Sequence, residues 1–229
     1  MTESAHEATA AGHEATAADI AQLLAEVDAG AWPLGKTRDD VLEAKTISMH
    51  TFIRESRVCE LLDGADPEVP PHAKKPREEF FKSLVKQRLE LVKERINEAP
   101  TGDGFSLRRV AEGVDLSHPT IDHLLKGKHS PRLDYAYALE RHLKLPRGIL
   151  STPEGDALAA YLRKVITEAL PALSIMADIE EIGGGKVSLR HTGDEAPALR
   201  DLVPVFKFLA ARERAKRAQR EQPEQPEQS

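Results

Sequence analysis

One short stretch constrains this chain more than any other part of it. Residues 106–131 read SLRRVAEGVDLSHPTIDHLLKGKHSP, and they contain two amphipathic segments joined at residues 113–116. The apolar residues of each segment recur at the i, i+3, i+4 spacing of one helix face. They are Leu107, Val110 and Ala111 in the first segment and Ile121, Leu124 and Leu125 in the second. The stretch therefore predicts two short helices with a tight turn between them.

The ends of the second predicted helix carry suitable boundary residues. Ser117 stands at the N-cap position, and Pro119 falls in the first turn, where a missing N–H costs nothing. Gly127 follows as a left-handed C′ residue, and Ser130–Pro131 turns the chain onward. Helices this short are marginal in isolation. They must therefore pack crosswise on supporting helices, which leaves the outer face of the second one free.

With these features, the stretch resembles the helix-turn-helix of the lambda-repressor/Cro (XRE-like) family of DNA-binding domains. The residues that carry the resemblance are Ser106–Leu107, Ala111, Leu116–Ser117, Thr120–Ile121, Leu124, Gly127–Lys128 and Ser130–Pro131. Asp115 stands where the family usually has a turn glycine, and aspartate tolerates the left-handed conformation better than most residues. The resemblance implies a five-helix DNA-binding domain over residues 77–152.

The parts of this domain around the motif have their own patterns. A long helix is expected from about Arg77 to Glu98, with an apolar stripe through Phe80, Phe81, Leu84, Val85, Leu89, Val92 and Ile96. Its cations Lys82, Lys86, Lys93 and Arg95 are expected mostly on a solvated face, although in the family this first helix can touch phosphates. After the motif, a helix over 133–143 should turn Leu133, Tyr137, Leu139 and Leu143 inward, and a short turn through 149–150 should complete the five helices.

An exposed helix of this kind fits the major groove, where its N-terminal residues reach base edges. The candidate base-contacting residues are His118, Pro119, Asp122 and His123. The candidate phosphate-contacting residues are Ser117, Arg108, Arg109, Lys126, Lys128 and Ser130. The function expected is sequence-specific binding of double-stranded DNA by a transcriptional regulator. It should act as a homodimer, because one short helix reads too few base pairs for useful specificity.

A protein-interaction module is the alternative function. The family's fold also serves in antitoxin-like and phage or plasmid regulatory proteins that bind a protein partner. Residues 78–150 hold 13 Lys and Arg against 11 Asp and Glu, whereas residues 1–77 hold 8 against 14. The predicted domain is the only basic third of the chain, but its excess of positive charge is small. Exposed histidines are also often merely solvated, and Ser117 is needed as a cap whether or not DNA binds.

Composition excludes several other classes. Charged residues make up 31% of the chain and aromatic residues 4%, which favours a mainly helical protein. Cys59 is the single cysteine, so neither a disulfide framework nor a cysteine-rich zinc site is expected. Catalytic carboxylate pairs, metal-ligand spacings and phosphate loops are lacking, so we expect neither an enzyme nor a cofactor. Without an apolar run of 18 residues, a membrane span is not expected, and the cytoplasm is the default location.

The flanking regions are expected to be helical, with at most one short strand or hairpin. Residues 1–19 contain the repeat HEATAAG–HEATAAD and are expected to be disordered. Residues 20–63 should form a small helical region. Residues 64–76 should form a proline-rich linker. Residues 37–57 align with the main motif after a shift of 69 positions, which leaves open a second, degenerate copy or a plain helical hairpin.

Residues 153–220 should form a helical C-terminal region that supplies the dimer contact. Its first helix should run from Thr152 to about Leu170, where Pro171 breaks or kinks it. The segment KVSLRH at 186–191 alternates like a strand, and a last helix is expected over 197–219. Residues 221–229 form a low-complexity tail that is expected to be disordered.

Overall fold

The computed structural model describes residues 14–98, 104–129, 132–182, 203–204 and 206–212. Throughout these ranges the regular structure is helical, and none of it is strand, which confirms the predicted mainly-α fold. The elements are α1 (Ala17–Ala31), a 3₁₀ helix (Trp32–Leu34), α2 (Arg38–Val41), α3 (Ala44–Thr51), α4 (Glu55–Leu62), α5 (Lys74–Glu98), α6 (Leu107–Gly113), α7 (His118–Leu125), α8 (Leu133–His142), α9 (Glu154–Lys164), a π-helical segment (Val165–Ala169), α10 (Leu170–Ile182) and a helical stretch at 203–204 and 206–212.

The described residues divide into two compact units. The first unit consists of the described residues within Met1–Leu24 and Leu42–Tyr161. The second consists of those within Ala25–Val41 and Leu162–Ser229. The first unit thus combines α3 and α4 with the helices of the predicted DNA-binding domain. Residues 64–76 run within this unit and do not separate two domains.

The predicted linker at 64–76 is wrong in extent and in character. Helix α5 begins at Lys74, three residues before the predicted start, with Pro76 in its first turn, where the missing N–H has no helical partner to lose. Pro67 and Pro70 are buried. The backbone N–H of Glu68 donates to Glu154 Oε1 at 2.8 Å. Prolines can pack as apolar residues, so a proline-rich composition does not by itself make a mobile linker.

The predicted disorder of residues 1–19 is wrong for residues 14–19. Thr16 and Asp19 cap the start of α1 reciprocally: Asp19 N–H donates to Thr16 Oγ1 at 3.2 Å, and Thr16 N–H donates to Asp19 Oδ2 at 2.8 Å. The Ala15 N–H also donates to Asp156 Oδ1 at 2.7 Å. Capping and one distant carboxylate therefore order the end of the repeat. Residues 1–13, with His6 and His13, lie outside the described residues.

Residues 37–62 form three short helices, and the degenerate second motif proposed for 37–57 is wrong. In that alignment Ser48 corresponds to Ser117 and should cap a helix. Ser48 instead lies inside α3 and is buried. Helix α3 ends at Thr51, and the next residue, Phe52, has a φ of 55°, in the left-handed region. The helix boundaries therefore fall at different places in the two stretches.

Helix α5 is buried along more of its surface than a single stripe predicts. Leu84, Val85, Leu89 and Val92 are buried as predicted, whereas Phe80, Phe81 and Ile96 are half-buried. Arg88 is also buried, which the apolar pattern did not predict. Arg95 was expected on a solvated face, but it is half-buried and donates to the carbonyl oxygens of Ser48 and Met49 at 2.7 and 2.9 Å. This helix therefore supports contacts on more than one side.

The predicted inward face of α8 is partly wrong. Leu133 and Tyr137 are 86% and 51% exposed, whereas Leu139 is buried as expected. Glu140 is buried because its carboxylate accepts from the N–H groups of Gly148 and Leu150 at 2.8 and 2.9 Å. The buried side of α8 therefore includes a carboxylate and leaves two of the four apolar residues predicted inward exposed. Residues 147–151 form turns in place of the fifth helix.

Replacing Glu140 by Ala is expected to lower the free energy of unfolding by about 2 kcal/mol, because two largely enclosed N–H groups lose their acceptor. Urea denaturation measures the change. The exposed neighbour Arg141 gives a matched control, and Arg141→Ala should leave the midpoint nearly unchanged. Equal midpoints for the two variants would show that the carboxylate does not hold the 147–151 turns.

A break or kink was predicted at Pro171, and in the second unit the helix does not break there but widens into the π-helical segment just before it. Leu170 N–H donates to Val165 O, five residues earlier, which is a π-helical bond. Proline lacks an N–H and crowds the carbonyl four residues before it, so the wider turn accommodates Pro171 without ending the helix. The predicted strand at 186–191 and the tail at 221–229 lie outside the described residues. Of the predicted last helix, residues 203–204 and 206–212 are helical.

Candidate nucleic-acid interface

The α6–α7 motif, residues 106–129, is built on a small apolar contact. Val110 and Ala111 of α6 are buried, as are Ile121 and Leu124 of α7. Helix α7 also packs on α5. In the turn, Asp115 adopts a φ of 53°, the left-handed conformation expected at this position. Helix α7 is thereby held by two other helices of the same unit.

Both ends of α7 have the predicted caps. Ser117 Oγ accepts from Thr120 N–H at 3.3 Å and lies 2.7 Å from the Thr120 hydroxyl. At the other end, Gly127 has a φ of 65°. Its N–H donates to Leu124 O at 3.0 Å, and Lys128 N–H donates to His123 O at 2.9 Å, which is the Schellman arrangement. These local bonds fix where the helix starts and stops.

The candidate base-contacting residues lie on the outer side of α7. His118 and Pro119 are exposed at its N-terminal end, whereas Asp122 and His123 are half-buried. Asp122 accepts from Lys126 Nζ at 2.7 Å, and this hydrogen bond, helped by the positive charge of nearby groups, lowers the pKa of the Asp122 carboxyl. The carboxylate is therefore ionised at neutral pH. It can accept from a cytosine amino group but repels phosphates.

The candidate phosphate-contacting residues differ in whether their charged groups form ion pairs within the chain. Arg108 is bound to Glu112 by a 2.7 Å ion pair, and Lys126 is bound to Asp122. Arg109 is exposed on α6. Lys128 is exposed and has no ion pair with any residue that the structure describes. The Ser117 hydroxyl serves as the cap, and Ser130 lies outside the described residues.

Two lysines of α5 approach the end of α7, Lys86 with its side chain and Lys82 with its backbone carbonyl, a placement that sequence spacing alone did not reveal. A Cβ on Gly127 would stand 3.2 Å from Lys86 Cδ and 3.6 Å from Lys82 O. The φ of Gly127 favours glycine at this position, and the lack of a side chain lets the Lys86 side chain lie close to it. The four residues Lys82, Lys86, Lys126 and Lys128, here called the lysine cluster, thus come from α5 and the C-terminal end of α7. Lys82 is paired with Glu79 and Lys86 more loosely with Glu90, at 2.6 and 3.9 Å.

The rest of the described chain adds two findings. Nowhere in it do three His, Cys, Asp or Glu side chains converge as metal ligands would. No helix in the same ranges has the length and apolar character needed to cross a membrane. Comparison of the chain with protein-family models, curated proteins and solved structures found no match.

Proposed function

We propose that this chain is a transcriptional regulator that binds double-stranded DNA sequence-specifically, with α7 in the major groove. The observation that carries the proposal is the placement of α7. It is supported from behind by α5 and α6, it presents His118 and Pro119 at an exposed N-terminal end, and it has the lysine cluster at its other end. A helix in a major groove needs base-reading side chains at its N-terminal end and cations at its margins to meet the phosphates.

In this proposal the residues have different roles. His118 and Pro119 meet base edges, and Asp122 accepts from a base amino group while Lys126 holds it in position. Lys128 is the principal phosphate contact because its ammonium has no partner among the described residues, and Lys86 is placed to assist it. Two copies bind two half-sites one helical turn apart, since a single α7 spans too few base pairs. The single exposed Cys59 suits the reducing cytoplasm, where we place the protein.

The test is a titration of genomic DNA fragments, including the region upstream of the gene, at two salt concentrations. We expect tight binding to one fragment that weakens steeply with salt, because phosphate contacts release counterions. The His118→Ala/Lys128→Ala double variant should lose about tenfold or more of this affinity. Lys45→Gln, an exposed substitution on α3 outside α5 and the α6–α7 motif, is the matched control and should bind as the wild type does.

The single variants separate base reading from phosphate contact. His118→Ala should weaken the specific fragment more than random DNA and so relax specificity. Lys128→Ala should weaken both alike and reduce the slope of log affinity against log salt by about one. Binding to no fragment, or the same salt slope in the wild type and in Lys128→Ala, would contradict the proposal. A monomer at micromolar concentration in sedimentation would contradict the dimer.

A second candidate function, a protein-interaction module, is favoured by the exposed side chains of α8. Leu133 and Tyr137 stand at the surface, and Leu133 borders a cleft of about 370 Å³ with Phe81 and Val85 of α5. An apolar cleft of this kind suits an apolar segment of a partner protein. Such a module would show no salt-dependent binding to DNA. The Leu133→Asp variant, which should abolish capture of the partner and leave DNA binding intact, distinguishes the two functions.

A further inference from the structure

A cleft in the first compact unit lies away from the α6–α7 motif and has a charged interior. It has a volume of about 260 Å³ and lies among α5, the residues between α3 and α4, and the first turn of α9. Its apolar wall includes Phe52, Ile53 and Leu91, all buried, and its cations are Arg54, Arg57 and Arg88. Apolar side chains beside convergent polar groups form the usual lining of a small-molecule site, and here four apolar residues stand beside six polar or charged ones.

Arg88 is the unusual group of this cleft. It is 2% exposed, yet its Nη1 has no hydrogen-bond partner among the described residues, and its Nη2 donates only to Thr152 O at 3.3 Å. Burial lowers the pKa of Arg88 to about 10, against the opposing effect of the Glu154 charge. The guanidinium therefore keeps its charge at neutral pH. A buried cation with an unused donor is costly unless an acceptor reaches it.

The other charges of the cleft do not satisfy Arg88. Glu154 accepts from Arg57 Nε and Nη2, at 3.1 and 2.6 Å, and from the Glu68 N–H, so its oxygens are already engaged. Arg54, at the rim, has only long ion pairs with Glu94 and Glu90, at 3.4 and 3.7 Å. Arg88 thus has a donor that the described carboxylates leave unused, and the long contacts of Arg54 leave it able to bind a further acceptor.

We propose that this cleft binds a small organic carboxylate, whose oxygens accept from Arg88 with help from Arg54 while its apolar part lies against Phe52, Ile53 and Leu91. A guanidinium and a carboxylate match in geometry and charge. The apolar wall selects an organic acid over inorganic phosphate, and Glu68 and Glu154 in the lining disfavour a dianion. Binding here does not require that the chain binds DNA.

The experiment is calorimetric titration of the full chain with three probes: benzoate, its neutral analogue benzamide, and inorganic phosphate. We expect benzoate to bind and to raise the Tm, and the other two to bind at least tenfold more weakly. In Arg88→Met the benzoate affinity should fall at least tenfold while the Tm without ligand stays equal or rises, because a buried charge is removed. Lys93→Gln is the control on the same helix and should bind benzoate as the wild type does.

The opposite results overturn the proposal. Benzamide as tight as benzoate would show an apolar cleft without charge recognition, and phosphate tighter than benzoate would show a general anion site. If the wild type does not bind benzoate, then the cleft is not a site for organic carboxylates. Undiminished binding to folded Arg88→Met would show that Arg88 is not the anchor. The wild-type probes decide the proposal even if Arg88→Met does not fold.

Discussion

Glu154→Ala is expected to lower the free energy of unfolding by about 3 kcal/mol, because it removes one partner of an enclosed ion pair. The side chains of Glu154 and Arg57 are 13% and 26% exposed, and Arg57 Nη2 lies 2.6 Å from Glu154 Oε1. The hydrogen bonds that Arg57 donates to Glu154 raise the pKa of Arg57, which shows how strongly the cation depends on this acceptor. Truncation also removes the acceptor of the Glu68 N–H and the charge that offsets buried Arg88.

A double-mutant cycle with Arg57→Ala measures this pair directly. Urea denaturation of the wild type, both single variants and the double variant should give a coupling free energy of about 1–3 kcal/mol. The exposed pair Arg108–Glu112, whose atoms are equally close at 2.7 Å, is the matched control. Glu112→Ala should leave the urea midpoint nearly unchanged, since solvent screens exposed pairs. A coupling no larger than the error of measurement would show that Arg57 and Glu154 are not paired in solution.

The parts of the fold that sequence predicted well are those fixed by neighbouring residues. Ser117, Asp115 and Gly127 act through backbone groups within four positions of themselves, so their types and spacing already contain the information. The boundaries of α7 followed from them. The Thr16–Asp19 cap has the same local character, but the repetitive composition around it concealed the signal.

The parts that sequence missed depend on distant polar contacts. Glu140 and Arg88 are buried, and backbone groups at 148–152 donate to Glu140 and accept one bond from Arg88. A pattern that assigns apolar residues inward and charged residues outward cannot find such contacts. The same assumption led to the wrong prediction that Leu133 and Tyr137 are buried. Buried charged groups are rare, so their positions depend on tertiary partners and not on local periodicity.

The candidate interface divides in the same way. His118 and Pro119 could be placed on the outer side of α7 from helical spacing alone. Lys86 could not be placed beside Gly127, because that contact depends on how α5 crosses α7. Nor could spacing show that Asp122 binds Lys126 while Lys128 has no ion pair among the described residues. The separate roles proposed for these groups come from the structure.

Three segments distant in sequence meet at the first turn of α9. Glu154 binds Arg57 and the Glu68 N–H, Asp156 accepts from the Ala15 N–H, and the backbone at Gly155 lies against Ala15 and Pro67. These contacts join the start of α1, helix α4 and the proline-rich segment to one turn of helix. Disturbing this turn should therefore affect the whole first unit and not α9 alone.

Gly155→Ala is accordingly expected to lower the free energy of unfolding by about 3 kcal/mol. Inside a helix, replacing glycine by alanine normally raises the free energy of unfolding by about 1 kcal/mol. Here its Cβ would stand 2.6 Å from Ala15 O and 3.0 Å from Pro67 Cβ. A backbone carbonyl and a proline ring cannot rotate away, so the chain must move, and overpacking outweighs the gain in helix propensity. Urea denaturation gives the size of the loss.

Gly113→Ala is the matched control, because the three atoms nearest to the added methyl group all belong to the ring of exposed His142. That side chain can rotate, so Gly113→Ala should lower the free energy of unfolding by no more than about 0.5 kcal/mol. Amide exchange separates a local from a general effect: in Gly155→Ala the Ala15 N–H should exchange faster even without urea, since its bond to Asp156 is displaced. If Gly155→Ala matches Gly113→Ala in stability and keeps Ala15 protected, then residues 14–16 do not pack on α9.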